Sequence, residues 1–299
     1  MYFNFLKHKK IYFIVSGILI LSSLICLFLL GLKPGIDFTG GSILELEYIS
    51  ERPSNQVVRE ALSGFNLGEI SVQPTQGKGI IIRMQDIKEA THQEILEQLK
   101  ETGEFKELRF ESVGSVIGKE LKEKTKVVII FSLFAIVAYI AIAFSKLTFP
   151  AKSWQYGIAS LFILFHDILI PLGIFSVLGK FYGIQITIPV VAALLTVVGY
   201  AINNVVVVYD RLRENLLKIG RRNEDFEEIT NLAIGQTFTR QINTSLTTLF
   251  PLFFIFFLGG ETLRYFSLAL ILGIVFGTYS SIFLASPILV SWLKWRKKI

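Results

Sequence analysis

The sequence predicts an α-helical polytopic membrane protein, with six transmembrane helices and one small α+β, ferredoxin-like extracytoplasmic domain. Three observations lead there. The 299 residues are 52% hydrophobic with a mean hydropathy of +0.56, above what a soluble domain of this length carries. The apolar excess is gathered into six long runs, each close to the roughly 20 residues that span a bilayer. The basic residues collect in alternate connecting segments, as the positive-inside rule requires.

The first run, 11–31, follows Lys7, His8, Lys9 and Lys10. It is too long for a signal-peptide core, which is about 7–15 residues, and it ends in Gly-Leu-Lys-Pro rather than a small-residue cleavage site. It reads as a retained anchor. The other runs are 125–145, 154–178, 187–209, 242–258 and 266–291. The fifth is the shortest and holds Pro251, which neighbouring helices can accommodate. Lys146 and Lys152, then Arg211, Arg213, Lys218, Arg221 and Arg222, then Lys294, Arg296, Lys297 and Lys298 share a side with the N-terminal lysines. That side is expected to be cytoplasmic, with both termini inside. The two short loops on the opposite side hold little positive charge, Lys180 in one and Arg264 in the other.

Three segments follow from this order: 1–31 is the N-terminus and first span, 32–124 an external domain, and 125–299 the remaining spans. The last of these includes a cytoplasmic loop at 210–240 and a basic tail. In the external segment, Leu44, Leu46 and Tyr48 alternate with Glu45 and Glu47, a half-buried strand. Pro53 and Ser54 open a helix with Val57, Val58, Ala61, Leu62 and Phe65 on one face. Strands near 69–74 and 79–84 flank Gly77-Lys78-Gly79, a hairpin signal. A helix near 88–101 carries Ile95, Leu96 and Leu99, and a strand near 105–112 alternates Leu108 and Phe110 with Arg109 and Glu111. The order β-α-β-β-α-β is that of the split βαβ fold. Loop 210–240 reads as a solvated connector, with a surface helix at 223–234 as the other reading.

Composition also excludes. The net charge of +6 sits beside apolar runs and forms no aromatic-basic stripe, so nucleic acid is not an expected partner. Cys26 is the single cysteine, so no intrachain disulfide forms. No HExxH, phosphate-binding loop, GxSxG or CxxC pattern is present, and His8, His92 and His166 are far apart. An enzyme, a metal site and a cofactor are therefore not expected.

The informative residues are polar ones inside the spans, because an ionisable group at bilayer depth is costly and marks a pathway or a polar interface. Span three holds His166 and Asp167. Span four holds Thr196, Tyr200, Asn203 and Asn204 at helical spacing. Span five and its lead-in hold Gln236, Arg240, Asn243, Thr244, Thr247 and Thr248. A common interior is the economical expectation. The threonines read as interhelical glue, whereas Asn203, Asn204 and Arg240 read as functional, with snorkelling the alternative for Arg240. Gly273 and Gly277 give a GxxxG spacing in span six.

Three patches resemble the SecD/SecF family. Gly35-Ile36-Asp37-Phe38-Thr39-Gly40-Gly41 is similar to its GIDFxGG signature. The stretch 199–215, with Asn203, Asn204, Asp210 and Arg211, is similar to GYSxNDxVVVxDRIREN. The stretch 236–248 is similar to QTxxRTxxTSxTT, and His166-Asp167 also fits. Chain length and the single small external domain fit the smaller of the family's two subunits. The resemblance implies an RND-like half in the bacterial inner membrane, paired with SecD beside the SecYEG translocon. The pair would use the proton-motive force to promote late preprotein translocation. It further implies an ion relay or polar interface through Asn204, Arg240, Asn203, Asp167, His166 and Asp210. A hinge at Gly35, Asp37, Gly40 and Gly41 is implied as well. One departure stands out: the family usually has Asp where this chain has Asn204, and an amide does not titrate. Three explanations are open: SecD supplies the carboxylate, Asp167 or Asp210 takes over, or coupling is altered. An RND-type small-molecule or lipid exporter and a non-coupled translocon assembly factor are the competing functions.

Overall fold

The computed structural model describes residues 4–75, 77–143, 153–219 and 226–297. In chain order the elements are α1 (Lys9–Leu30), α2 (Ile36–Thr39), β1 (Gly41–Tyr48), α3 (Asn55–Ala61), β2 (Ser71–Pro74), β3 (Gly79–Met84), α4 (Glu89–Lys100) and β4 (Phe105–Val113). The long helices α5 (Ser115–Ala143), α6 (Ser153–Tyr182), α7 (Ile188–Ile219), α8 (Phe226–Leu258) and α9 (Glu261–Ser280) follow. A π-turn (Ser281–Ala285) then leads into α10 (Ser286–Lys297). Six helical segments are long and apolar enough to cross a membrane, the last running from Glu261 to Trp295 through the π-turn. Lys146, Lys152, Arg221, Arg222 and Lys298 lie outside the described residues.

The chain divides into two compact units. One comprises 33–128 and 183–187, the other the remaining helical segments. The first holds an antiparallel four-stranded sheet in the order β2-β3-β1-β4, as the βαββαβ pattern predicts. Leu44, Leu46, Val58, Leu62, Ile80, Ile82, Ile95 and Leu99 form its core. Each such side chain is worth about 1.5–3 kcal/mol when fully buried. Strand β3 is buried along its whole length, because Ile81 joins Ile36 and Ile43 on the second face. Ser54 caps α3 by accepting from the Val57 N–H at 3.3 Å.

Two side chains depart from the expected pattern. Val57 is exposed while Val58 is buried, since a seven-residue helix offers only one narrow stripe to the sheet. Leu108 is also exposed. The register shifts between Glu45 and Leu46, where Arg109 and Glu107 are the successive partners. Leu108 is the extra residue of that bulge, and it turns outward.

Gly35 through Gly41 form a compact joint. The Gly35 N–H donates to Ile186 O and the Ile186 N–H to Lys33 O, both at 2.8 Å. Asp37 is half-buried in the first turn of α2. Gly40 and Gly41 have φ of +74° and +129°, and a Cβ on Gly40 would lie 2.7 Å from Ser115 Cα. Both backbone conformation and space therefore require glycine there.

In the helical unit, the described residues of segment 210–240 are helical rather than an open connector. Helix α7 runs on to Ile219 and α8 begins at Phe226. Leu212 and Leu216 pack with Ile229 and Ala233 in the core, which gives the extensions a buried face. Arg211 pairs with Glu214 along the helix, and Lys218 lies 3.9 Å from Glu214. The expected surface helix is thus the buried first turns of α8, with 223–225 outside the described residues.

Helices α7 and α9 pack at a constant offset of 76 in sequence number. A Cβ on Gly273 would lie 2.2 Å from Val197 Cγ2, Gly277 faces Ala201, and the Tyr209 hydroxyl donates to Ala285 O at 2.8 Å. The glycines permit this close approach. At the chain ends, Glu227 on α8 binds Lys9 of α1 at 2.8 Å and also Lys294 of α10.

The Gly273→Ala variant is expected to lower stability by about 1–3 kcal/mol through overpacking. Val197→Ala in the same chain should recover part of the loss, as read by thermal unfolding of the detergent-solubilised protein. A second expectation concerns Glu89. Hydrogen bonds, first from Gln93 and then from His92, hold its carboxyl below the usual carboxylate range. Folding therefore favours the ionised form. Its contribution is present above the unfolded pKa and is lost as pH falls through the lowered folded value. Hydrogen exchange at the start of α4 should accelerate only in that acid range, and Glu89→Gln should remove the dependence.

Candidate functional site: a polar seam in the helical unit

The resemblance implies an ion relay or polar interface through six residues, and the structure places some of them inside the helical unit and others on its surface. His166 and Asp167 are fully buried, and His166 Nδ1 lies 2.8 Å from Asp167 Oδ1. Asn204 is buried as well, with its Nδ2 lacking a hydrogen-bond partner among the described residues. Asn203 and Arg240 are exposed on the surface of the helical unit. Asp210 is exposed and lies 3.6 Å from Arg213, one turn on. The reason is helical phase: adjacent residues point about 100° apart, so Asn203 and Asn204 cannot share a face.

The buried part is a continuous seam. Ser280 on α9 donates to Asp167 Oδ2 at 2.8 Å. Its neighbour Ser281, the first residue of the π-turn, donates to Gln241 Oε1 on α8 at 2.6 Å. One turn earlier Thr278 meets Ser245 at 2.6 Å, and Ser245 meets the Tyr200 hydroxyl at 2.9 Å. Helices α6, α7, α8 and α9 are thus joined through hydroxyls and amides. By the offset of 76, Asn204 stands level with Ser280.

Asp167 is the one fully buried carboxylate among the described residues. A buried ion costs several kcal/mol unless its lone pairs are occupied, and here His166 and Ser280 occupy one oxygen each. Such a pair holds either one or two protons between imidazole and carboxylate, so its net charge is −1 or 0. His166 Nε2 and Gln241 Nε2 have no hydrogen-bond partner among the described residues. Both positions suit water, which satisfies buried polar groups in otherwise closed interiors. No group of three His, Cys, Asp or Glu side chains comes together among the described residues.

The outward-facing part is a stripe: Thr196 and Asn203 on α7, with Arg240, Asn243, Thr244 and Thr247 on α8. The threonine hydroxyls donate to carbonyls of their own helices, Thr244 to Arg240 O at 2.8 Å and Thr247 to Asn243 O at 3.0 Å. That leaves the amides and the guanidinium as the groups facing outward. Ser280, Ser281, Gln241 and Ser245 were not singled out in the sequence. The adjacent serines inside an apolar run were the available signal.

A family model described as the C-terminal region of the protein export membrane proteins SecD/SecF matches residues 92–295, and one described as the SecD/SecF GG motif matches 27–48. The chain is 39% identical to the "Protein translocase subunit SecF" of Thermobaculum terrenum, across 97% of this chain and 93% of that protein. It is 37% identical to the subunit of the same name from Vibrio alginolyticus, across 95% of this chain and 88% of that one. Among solved structures, SecDF from Thermus thermophilus, described as a translocon-associated membrane protein, superposes with a TM-score of 0.85 at 31% identity. That match covers 98% of this chain and 39% of the SecDF chain, so this chain spans about two fifths of it. With two family models and relatives matched end to end, the chain is a multi-pass membrane protein that belongs to the SecD/SecF family of protein-export membrane proteins, among its SecF members.

Proposed function

We propose that this chain is an accessory, non-enzymatic subunit of the Sec protein-export machinery. With a SecD partner it uses the proton-motive force to promote a late stage of preprotein translocation. Family membership supports the export role, since its relatives are named as translocase subunits. The observation that carries the partnership is the outward-facing stripe. Exposed Asn203, Arg240 and Asn243 on the surface of helices otherwise apolar enough to cross a membrane are costly against lipid. A polar face of a second six-span half relieves that cost. SecD supplies such a half, and its carboxylate meets Arg240.

The lysines and arginines of the alternate loops favour an inner-membrane location with both termini in the cytoplasm. The sheet unit then stands on the far side, beside the SecYEG channel, where it meets the emerging preprotein. Asn204 holds an amide where the family usually has Asp, so proton transfer through that position falls to another group, in SecD or in this chain.

The test is completion of preprotein transport into inverted inner-membrane vesicles, with and without this chain and SecD, and with and without an ionophore. The expected result is a faster late, ATP-independent step that the ionophore abolishes. A gain that survives the ionophore leaves a translocon assembly factor without ion coupling. No gain at all favours a small-molecule or lipid exporter. Arg240→Ala is expected to weaken co-purification with SecD by about 2 kcal/mol or more, the cost of stranding one member of a desolvated charge pair. Its fold should be retained, since Arg240 lies outside the core.

A further inference from the structure

The π-turn places two adjacent serines against two different helices. Ser280 reaches Asp167 on α6 and Ser281 reaches Gln241 on α8. Each hydroxyl also has a second acceptor within its own helix. For Ser280 it is Gly277 O at 3.1 Å, and for Ser281 it is Thr278 O at 3.0 Å. A hydroxyl carries one hydrogen, so each serine chooses between a partner across the bundle and a carbonyl one turn back. That is a pair of two-position switches side by side, at a helical irregularity of the kind often found at functional sites.

The choice at Ser280 depends on Asp167. An ionised carboxylate is the stronger acceptor and draws the hydroxyl across the bundle. A neutral carboxyl offers less, and the hydroxyl turns back to Gly277 O. That shift alters the last turn of α9, from which Ser281 and its bond to Gln241 begin. Gln241 adjoins Arg240 on α8.

We propose that Ser280 and Ser281 transmit the charge state of the His166–Asp167 pair to α8, so that a proton bound inside the bundle is read on the face that carries Arg240. The step takes one proton from a hydronium ion: one of its O–H bonds breaks and leaves water, an O–H bond forms on the Asp167 carboxyl, and the net charge of the pair goes from −1 to 0. His166 is the ionisable side chain in direct contact with Asp167, at 2.8 Å. On the neighbouring elements, Tyr279 of α9 has its ring 6.2 Å from that of His166 and donates to Tyr12 O of α1. From α7, Ala201 and the non-titrating Asn204 stand at this level, and Tyr209 is engaged with Ala285 O. Ser280 and Ser281 are positioning residues, because neither hydroxyl titrates. The inference rests on the reading that the α7–α8 stripe meets a partner only for its purpose, and its mechanism stands on the seam alone.

The experiment uses the full chain in lipid nanodiscs, with Cys26→Ser removing the native thiol and Leu246→Cys carrying a nitroxide on the exposed surface of α8. Two signals are followed as pH is varied: the spin-label spectrum and the infrared carbonyl band of a protonated carboxyl. In the parent both should titrate together. Asp167→Asn should abolish both. Ser281→Ala should keep the infrared titration and lose most of the spin-label response, while Ser281→Thr, which retains the hydroxyl, should restore it. A full spin-label response in Ser281→Ala would overturn the proposal. So would a carboxyl band that is absent in the parent or unchanged by Asp167→Asn. These signals do not depend on export, so failure of the export role in vesicles would leave them intact, and their failure would leave that role intact.

Discussion

The close approach of α7 to α9 is the constraint on which the helical unit depends. Gly273 and Gly277 have no side chain to hold Val197 and Ala201 away, so the two helices stay in fixed register over three turns. That register brings Ser280 level with Asn204 and within reach of Asp167. Without it the hydroxyl seam would open, and a buried carboxylate would lose an acceptor contact that offsets its desolvation. Packing by small residues and satisfaction of polar groups are here the same requirement, since lipid offers no alternative partners.

Much of this was legible in the sequence. The spans followed from apolar run length, and the element order β-α-β-β-α-β from two periodicities, two in the strands and 3.6 in the helices. The direction in which polar residues face was not legible. Asn203 and Asn204 differ only by helical phase, and phase must be fixed against neighbours that a single sequence does not locate. The π-turn at Ser281 escaped for a related reason: one extra residue in a turn leaves no compositional trace. Segment 210–240 looked like a loop because its charges are dense. Of these, Asp210, Arg211, Arg213, Glu214 and Lys218 pair along a helix whose other face, with Leu212 and Leu216, is core. Leu108 looked buried because alternation assumes unbroken register, and the bulge opposite Glu45 and Leu46 breaks it.

Asn204 gains significance from its surroundings. Its level in the bundle holds Ser280 and, across from it, Asp167, with Gln241 on the adjoining helix. An amide there supplies both donor and acceptor without charge, whereas a carboxylate would stand near a second buried carboxylate. Two such groups in one low-dielectric site raise each other's proton affinity. The amide leaves Asp167 as the single fully buried acid among the described residues, which simplifies the proton inventory of this half.

Glu227 holds Lys9 near the start of the chain and Lys294 near its end, and Tyr279 reaches back to the Tyr12 carbonyl. Helix α1 is made before α8 and α9, and finds these anchors only after they have been made. During synthesis α1 must reside in the bilayer with its bonding partners untranslated. Closure of the bundle therefore waits for the later helices, and a chain cut ahead of Lys294 would keep the Lys9–Glu227 pair but lose the second arm of that ion pair.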